Sequence, residues 1–87
     1  MNNLVPREPK KGDIAQRVLK DPGWCNEESA DGTWVGDFMF EGFQSGLVLT
    51  DPYRAGDDWN VVKMLVDGRI LVVDGDTIEA VSCVRSR

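Results

Sequence analysis

The sequence has no histidine and only two cysteines, Cys25 and Cys83. Histidine is the commonest general base and the usual activator of serine and cysteine nucleophiles, so its absence argues against an enzyme. Without histidine or a Cys-x-x-Cys pair, the chain also offers no four-ligand set for zinc. We therefore predict no catalytic site, no metal and no cofactor. In a reducing cytosol the two cysteines are expected to be free thiols, with a disulfide between them as the alternative.

Long apolar segments are missing as well. No run approaches the ~18 apolar residues that a membrane-spanning helix needs, and the first residues lack the apolar core of a secretory signal. These absences predict a cytoplasmic protein with no membrane partner. Residues 1–11 are polar and contain Pro6 and Pro9, which favour an extended N-terminal arm. Residues 12–87 are expected to form a single small domain, since the chain is short and 41% apolar.

Charge is unevenly distributed along the chain, although the total is only −5. Residues 1–20 carry five basic and two acidic side chains, which gives +3. Residues 21–58 carry nine acidic side chains against Arg54 alone, which gives −8, and residues 59–87 carry four of each sign. A stretch of −8 repels phosphate, so binding of nucleic acid by the middle of the chain is disfavoured. The same stretch favours a protein partner with a basic surface.

The strongest structural signal is a β-hairpin in the last third of the chain. Two runs of β-forming residues flank Asp67-Gly68, a dipeptide typical of a two-residue type I′ turn. One face of this hairpin is almost wholly apolar and is predicted to be the interior of the domain. The turn sets a register of Val66 to Arg69, Met64 to Leu71 and Val62 to Val73 on that face, and of Leu65 to Ile70, Lys63 to Val72 and Val61 to Asp74 on the other.

Short β-like stretches separated by turn residues account for most of the remaining chain. Residues 12–20 favour a strand over one or two helical turns, and residues 24–32 are predicted to be a loop. Residues 34–43 alternate as a half-buried strand, residues 45–50 form a short apolar run, and residues 52–58 are predicted to be another loop. With a last strand near the C-terminus, the total is five or six short strands and no convincing helix. This pattern is typical of an all-β barrel or sandwich.

Four segments follow one another in a familiar order. Lys11-Gly12-Asp13 opens the first strand, Gly46 to Thr50 forms a later one, Trp59 to Val73 crosses the Asp-Gly turn, and Ile78 to Val81 closes the series. In this order the chain resembles the small SH3-like barrels, most of all the short stand-alone ones common in bacteriophages and mobile elements. The resemblance covers about half of the chain and implies an SH3-like barrel without catalytic residues. Residues 20–45 depart from it as a long acidic, aromatic-rich insertion after the first strand.

Aromatic and acidic side chains occur together in and around this insertion. Trp and Tyr beside carboxylates suit a binding hot spot or a cage for a cationic side chain, and Tudor-type barrels, relatives of the SH3-like ones, use such a cage. Trp34, Phe38 and Phe40 are interpreted mainly as core residues, whereas Trp24 and Tyr53 fit either role equally well. The candidate protein-binding residues are Trp24, Glu27, Glu28, Asp31, Tyr53, Asp57, Asp58 and Trp59.

Three functions remain open at this point. The favoured one is a non-enzymatic protein-binding module, an accessory protein of a phage or mobile element that engages a basic host or assembly protein in the host cytoplasm. The second is a structural homo-oligomer or virion component, in which Leu65, Ile70 and an exposed edge strand pair between copies. The third is a nucleic-acid-associated barrel that uses the basic residues between Arg7 and Lys20, with Arg85 and Arg87.

Overall fold

A computed structural model describes residues 8–81, and throughout this range the chain is all-β. Cys83, Arg85 and Arg87 lie outside the described residues, as do the first seven residues of the predicted arm. Within residues 8–81, no helix has the length and apolar character needed to cross a membrane. A short 3₁₀ turn, Gly75–Thr77, precedes the last strand. The strands are β1 (Ile14–Arg17), β2 (Gly23–Glu28), β3 (Trp34–Phe40), β4 (Ser45–Val48), β5 (Tyr53–Ala55), β6 (Asp58–Val66), β7 (Arg69–Asp74) and β8 (Ile78–Ala80).

All eight strands belong to one antiparallel sheet. Seven of them follow the order β3-β2-β7-β6-β4-β1-β8, and β5 lies off this path and pairs with β6. The longest strand, β6, pairs with β7 along one side. On its other side, β6 pairs with β5 in its first half and with β4 in its second half. Among the described residues, β3 pairs only with β2 and β8 only with β1, so these two strands end the order.

The predicted β6–β7 hairpin is confirmed pair by pair. Asp67 and Gly68 have φ values of 55° and 79°, and a type I′ turn requires positive φ at both central residues. The observed register is the predicted one in all six pairs. The apolar side chains of the predicted interior face are fully buried, which confirms the side on which the core lies, whereas Arg69 at the end of that face is exposed. The buried members are Val62, Met64, Val66, Leu71 and Val73.

One apolar cluster joins side chains from both ends of the sheet. Phe40 at the end of β3 and Ile78 in β8 belong to the same cluster as Met64 in the central strand. A flat sheet of this strand order would keep Phe40 and Ile78 far apart, because neighbouring strands are separated by about 4.8 Å. The sheet therefore curves around a common core. The buried members of that core are Ala15, Phe40, Val48, Val62, Met64, Val66, Leu71, Val73 and Ile78.

Two predicted loops contain strands, which is why the sheet has eight strands rather than five or six. Residues 24–32 were expected to be a loop, but β2 occupies most of that stretch and pairs with both β3 and β7. Residues 52–58 contain β5, which pairs with β6. Neither segment has a run of large apolar residues, so the sequence carried no periodic signal for them. Their backbone hydrogen bonds to neighbouring strands stabilise them instead.

The aromatic residues of the third strand separate between core and surface. Phe40 is fully buried and Phe38 packs against the core, as predicted. Trp34 is 60% exposed, so its interpretation as a core residue is wrong. Phe43 lies beyond the end of β3, at a positive φ of 63°, and is also exposed. The alternation of β3 is broken near Gly36, where the register with β2 shifts by a bulge, and this changes which side chains face inward.

Candidate functional site

The eight candidate binding residues lie in three parts of the fold. β2 holds Trp24, Glu27 and Glu28, and the turn that follows it holds Asp31. The remaining four lie around the start of β6, where β5 pairs with it: Tyr53, Asp57, Asp58 and Trp59. Their contacts differ greatly, and only some of them face solvent without a partner in the described chain.

Glu27 and Glu28 form ion pairs within the domain. Glu27 Oε1 lies 3.0 Å from Nη1 of Arg69, and Glu28 Oε1 lies 2.8 Å from Nζ of Lys63. Each glutamate side chain is only 19% exposed. The hydrogen bond with Glu28 raises the pKa of Lys63 above its ordinary value. These two glutamates thus join β2 to β7 and β6, and they do not offer free negative charge to a partner.

Asp31 organises the turn between β2 and β3. Its Oδ1 accepts hydrogen bonds from the Ser29 hydroxyl and, at 3.0 Å, from the backbone N–H of Thr33. The Ser29 hydroxyl and the Thr33 groups lower the pKa of Asp31 to about 2. An aspartate that accepts a backbone N–H two residues ahead is a common device of tight turns. The carboxylate of Asp31 therefore has a structural role in this turn.

Two tryptophans stand out on the surface. Trp24 is 69% exposed and Trp59 is 71% exposed. The guanidinium carbon of Arg54 lies 4.1 Å from the centroid of the Trp59 ring, a cation–π distance. Arg54 Nε is held by a 3.1 Å hydrogen bond to the carbonyl of Gly56. The ring of Trp59 is thus placed to bind a guanidinium group, and it already does so within the chain.

The carboxylates beside Trp59 are exposed. Asp57 and Asp58 form no ion pair with any residue between 8 and 81. Tyr53 lies nearby in β5, opposite Val61, and is partly buried. Burial raises the pKa of the Tyr53 hydroxyl, which stays protonated at neutral pH. An exposed tryptophan next to exposed carboxylates in the sequence suits non-covalent binding of a cationic side chain.

A cleft of about 450 Å³ opens where β2 separates from β7. The two strands pair from Asn26 to Glu28, but Gly23 to Cys25 have no partner on β7. The cleft contains Trp24 and Asp58 of the predicted site, and it also contains residues that were not predicted. Its lining consists of Arg17, Gly23, Trp24, Cys25, Asn26, Ala55, Asp58, Val61, Val72, Val73, Asp74 and Thr77.

Arg17 is the most unexpected member of this lining. It is 7% exposed and is the only buried charged residue in the described part of the chain. Its Nε and Nη2 both donate to the backbone carbonyl of Asp21, at 3.2 and 3.0 Å, and its guanidinium lies 5.6 Å from the Phe40 ring centroid. Arg17 is one of the basic residues between Arg7 and Lys20 that the nucleic-acid alternative would use, and its burial takes it away from an exposed basic surface. The sequence of β1 could have predicted this burial. Side chains two positions apart in a strand lie on the same face, and Arg17 comes two positions after the buried Ala15.

Cys25 also lines the cleft. Burial raises the pKa of the Cys25 thiol, while the charge of Arg17 acts in the opposite direction. A protonated thiol is a poor nucleophile. Among residues 8–81, no three cysteine or acidic side chains are grouped closely enough to hold a metal ion. No protein-family model, curated protein or solved structure matches this chain.

Proposed function

We propose that this chain is a non-enzymatic protein-binding module built on an SH3-like barrel, and that it engages a partner with a basic surface. The observation that carries the proposal is the exposed Trp59, which directly follows the exposed carboxylates of Asp57 and Asp58. Trp24, a second exposed tryptophan, lines the same cleft as Asp58. Tryptophan is enriched at the energetic centres of protein interfaces. Carboxylates at the rim of such a centre select a basic partner and speed its association.

The order of the strands supports the barrel. The four segments that resemble SH3-like barrels fall on β1, β4, the β6–β7 hairpin and β8. These strands are neighbours in the sheet, as β7-β6-β4-β1-β8, and their side chains share one core. On this interpretation the β2–β3 hairpin is the insertion after the first strand. A role as an accessory protein of a phage or mobile element, acting in the host cytoplasm, belongs to the same proposal and depends on the resemblance alone.

The contacts within the domain narrow the predicted surface. Glu27, Glu28 and Asp31 are engaged by Arg69, Lys63 and the β2–β3 turn. The binding surface that remains consists of Trp24, Tyr53, Asp57, Asp58 and Trp59. The Arg54 guanidinium on the ring of Trp59 supports this choice, because it is the type of group that a basic partner would supply.

The proposal is tested with an arginine-rich peptide and two variants of equal charge. Replacing Asp57 and Asp58 by Asn removes two negative charges, which changes the net charge from −5 to −3. Asp37→Asn with Glu41→Gln makes the same change at exposed positions outside the proposed surface. Fluorescence anisotropy of the labelled peptide measures the affinity. The first variant is expected to weaken binding by roughly two- to tenfold at low salt, and the second by much less.

Trp59→Ala is expected to weaken the same complex by at least about fivefold, which corresponds to about 1 kcal/mol, a loss that fewer than a third of interface residues exceed. Because the ring of Trp59 is exposed, the variant is expected to fold. Circular dichroism checks that it does. Equal weakening by both charge variants would mean that only the total charge matters. Unchanged binding by the Asp57/Asp58 variant would remove this surface from consideration.

A homo-oligomer is the second candidate, and the edge of β3, which pairs only with β2 among residues 8–81, favours it. Trp34 and Val35 are both exposed on this strand, and β3 contains no proline or lysine, the residues that commonly protect an edge. Two copies could extend the sheet by antiparallel pairing of β3. Light scattering over a range of concentrations would then show a dimer that Val35→Lys dissociates. A monomer at every concentration would exclude this function.

A further inference from the structure

The cleft between β2 and β7 contains a buried cation, the guanidinium of Arg17, that has no counter-ion among residues 8–81. Arg17 has five N–H donors, and two of them donate to the carbonyl of Asp21. No other acceptor contacts it among the described residues, and no carboxylate forms an ion pair with it. A buried guanidinium is costly unless an anion pairs with it. We propose that this cleft binds a carboxylic acid with an apolar body, and that the Arg17 guanidinium holds its carboxylate.

The guanidinium is held in place by its surroundings rather than by a flexible contact. A Cβ atom at Gly23 would lie 2.7 Å from Nη2 of Arg17, so the absence of a side chain at Gly23 makes room for the group. The ring of Phe40 lies beside it, and the carbonyl of Asp21 fixes Nε and Nη2. A guanidinium oriented in this way presents its remaining donors in a fixed fork, which matches the two oxygens of a carboxylate.

The surrounding charge selects a singly charged anion. Asp58 and Asp74 line the same cleft, and the whole chain carries −5. A phosphate dianion would meet about twice the repulsion of a carboxylate from these groups. A planar, singly charged carboxylate keeps the bidentate contact to Arg17 with less repulsion.

The rest of the lining is mixed, and its apolar part suits an apolar body. Trp24, Ala55, Val61 and Val72 supply aromatic and aliphatic surface around the cleft. A volume of about 450 Å³ falls within the usual range for small-molecule sites. An aromatic or branched aliphatic acid would therefore bury its hydrocarbon part here while its carboxylate contacts Arg17. Such an acid is either a free metabolite or the C-terminal residue of a peptide, and the two sources present the same chemistry.

The test compares N-acetylphenylalanine with N-acetylphenylalanine amide, which has the same shape and no charge. Titration of the ¹⁵N-labelled full chain is followed at the amide signals of Gly23 and Trp24 and at Arg17 Nε–H. The acid is expected to bind with a Kd of about 1 mM, the range typical of a ligand of this size. The amide is expected to bind at least tenfold more weakly. Equal binding of acid and amide, or equally tight binding of inorganic phosphate, would overturn the proposal.

Two variants of the cleft give opposite expectations. Arg17→Met keeps the length of the side chain without its charge and should weaken binding of the acid at least tenfold. Asp58→Asn removes a repelling charge at an exposed position, so it should strengthen binding by about two- to fivefold. If Arg17→Met does not fold, Asp58→Asn decides the question alone, and weaker binding by that variant would contradict the proposal. A peptide ending in phenylalanine that binds tenfold more tightly than the free acid would identify a peptide terminus as the ligand.

The two proposals fail independently. Asp58→Asn should weaken binding of a basic peptide and strengthen binding of the acid, because the carboxylate attracts one ligand and repels the other. If a basic peptide binds as proposed and the acid does not, the result supports the protein-binding surface and refutes the ligand cleft. The reverse result would support the ligand cleft and refute the protein-binding surface.

Discussion

Two neighbouring residues of β6 provide the sharpest test of the fold. Met64 is fully buried in the core and faces Leu71, whereas Leu65 points to the other side of the strand and is 39% exposed. The two side chains are similar in size, and they differ in whether they lie in the interior. Met64→Ala leaves a cavity among close-packed neighbours, and such a change costs about 2–5 kcal/mol. Leu65→Ala removes a half-exposed side chain and should cost less than about 1 kcal/mol.

The expected loss is large compared with the stability of so small a domain. At roughly 0.05–0.15 kcal/mol per residue, a chain of 87 residues has a free energy of unfolding of about 4–13 kcal/mol. Met64→Ala should therefore lower the melting temperature by at least about 10 °C, and Leu65→Ala by no more than about half as much. Urea denaturation followed by far-UV circular dichroism is the suitable assay, because all three tryptophans are exposed in the folded chain and report poorly on unfolding.

The comparison has a clear refuting result. If Leu65→Ala costs as much as Met64→Ala, the two faces of β6 have been assigned wrongly. A loss below about 1 kcal/mol for Met64→Ala would equally contradict a close-packed core at this position. The urea m-value should stay the same in both variants, since neither changes how much surface unfolding exposes.

Three further predictions concern a carboxyl group, a turn and an ion pair. The pKa of Asp31 is lowered to about 2. The contribution of this carboxylate to stability is therefore complete above about pH 4 and is lost as the pH falls toward 2. An NMR titration that gave this carboxyl group an ordinary pKa would contradict the prediction. Gly68→Ala should cost about 1 kcal/mol in urea denaturation, because φ is +79° at this position, and unchanged stability would refute a type I′ turn. A double-mutant cycle of Glu28→Gln and Lys63→Met should give a coupling of about 1 kcal/mol, since both side chains are less than one-third exposed. Zero coupling would contradict a stabilising role of this ion pair.

Local patterns in the sequence were sufficient for the class of fold and for its central hairpin. Asp67-Gly68 takes up the two positive φ values of a type I′ turn whatever surrounds it, and a two-residue turn leaves only one register. The alternation of apolar residues on either side then decides which face is buried. These features depend on neighbours along the chain, and so they could be predicted without a structure.

The candidate site was predictable only in part, because its contacts join distant parts of the chain. Glu27 and Arg69 are 42 positions apart, and only the pairing of β2 with β7 brings them to 3.0 Å. Before that pairing is known, Glu27 cannot be told from an exposed acid such as Asp57. Trp24, which the sequence left equally open as a core or a surface residue, and Trp59 are both exposed. Their exposure depends on how the strands pack and not on the residue type.

The sequence by itself determined an all-β chain with one specific hairpin, because turn geometry and side-chain alternation act over a few residues. Only the tertiary structure decided that β2 is a strand, that Trp34 faces solvent and that Arg17 lies buried beside Gly23 and Phe40. The physical reason is that burial depends on which strands meet when the sheet curves around its core. Curvature of this kind is a property of all eight strands together, and no short stretch of the sequence contains it.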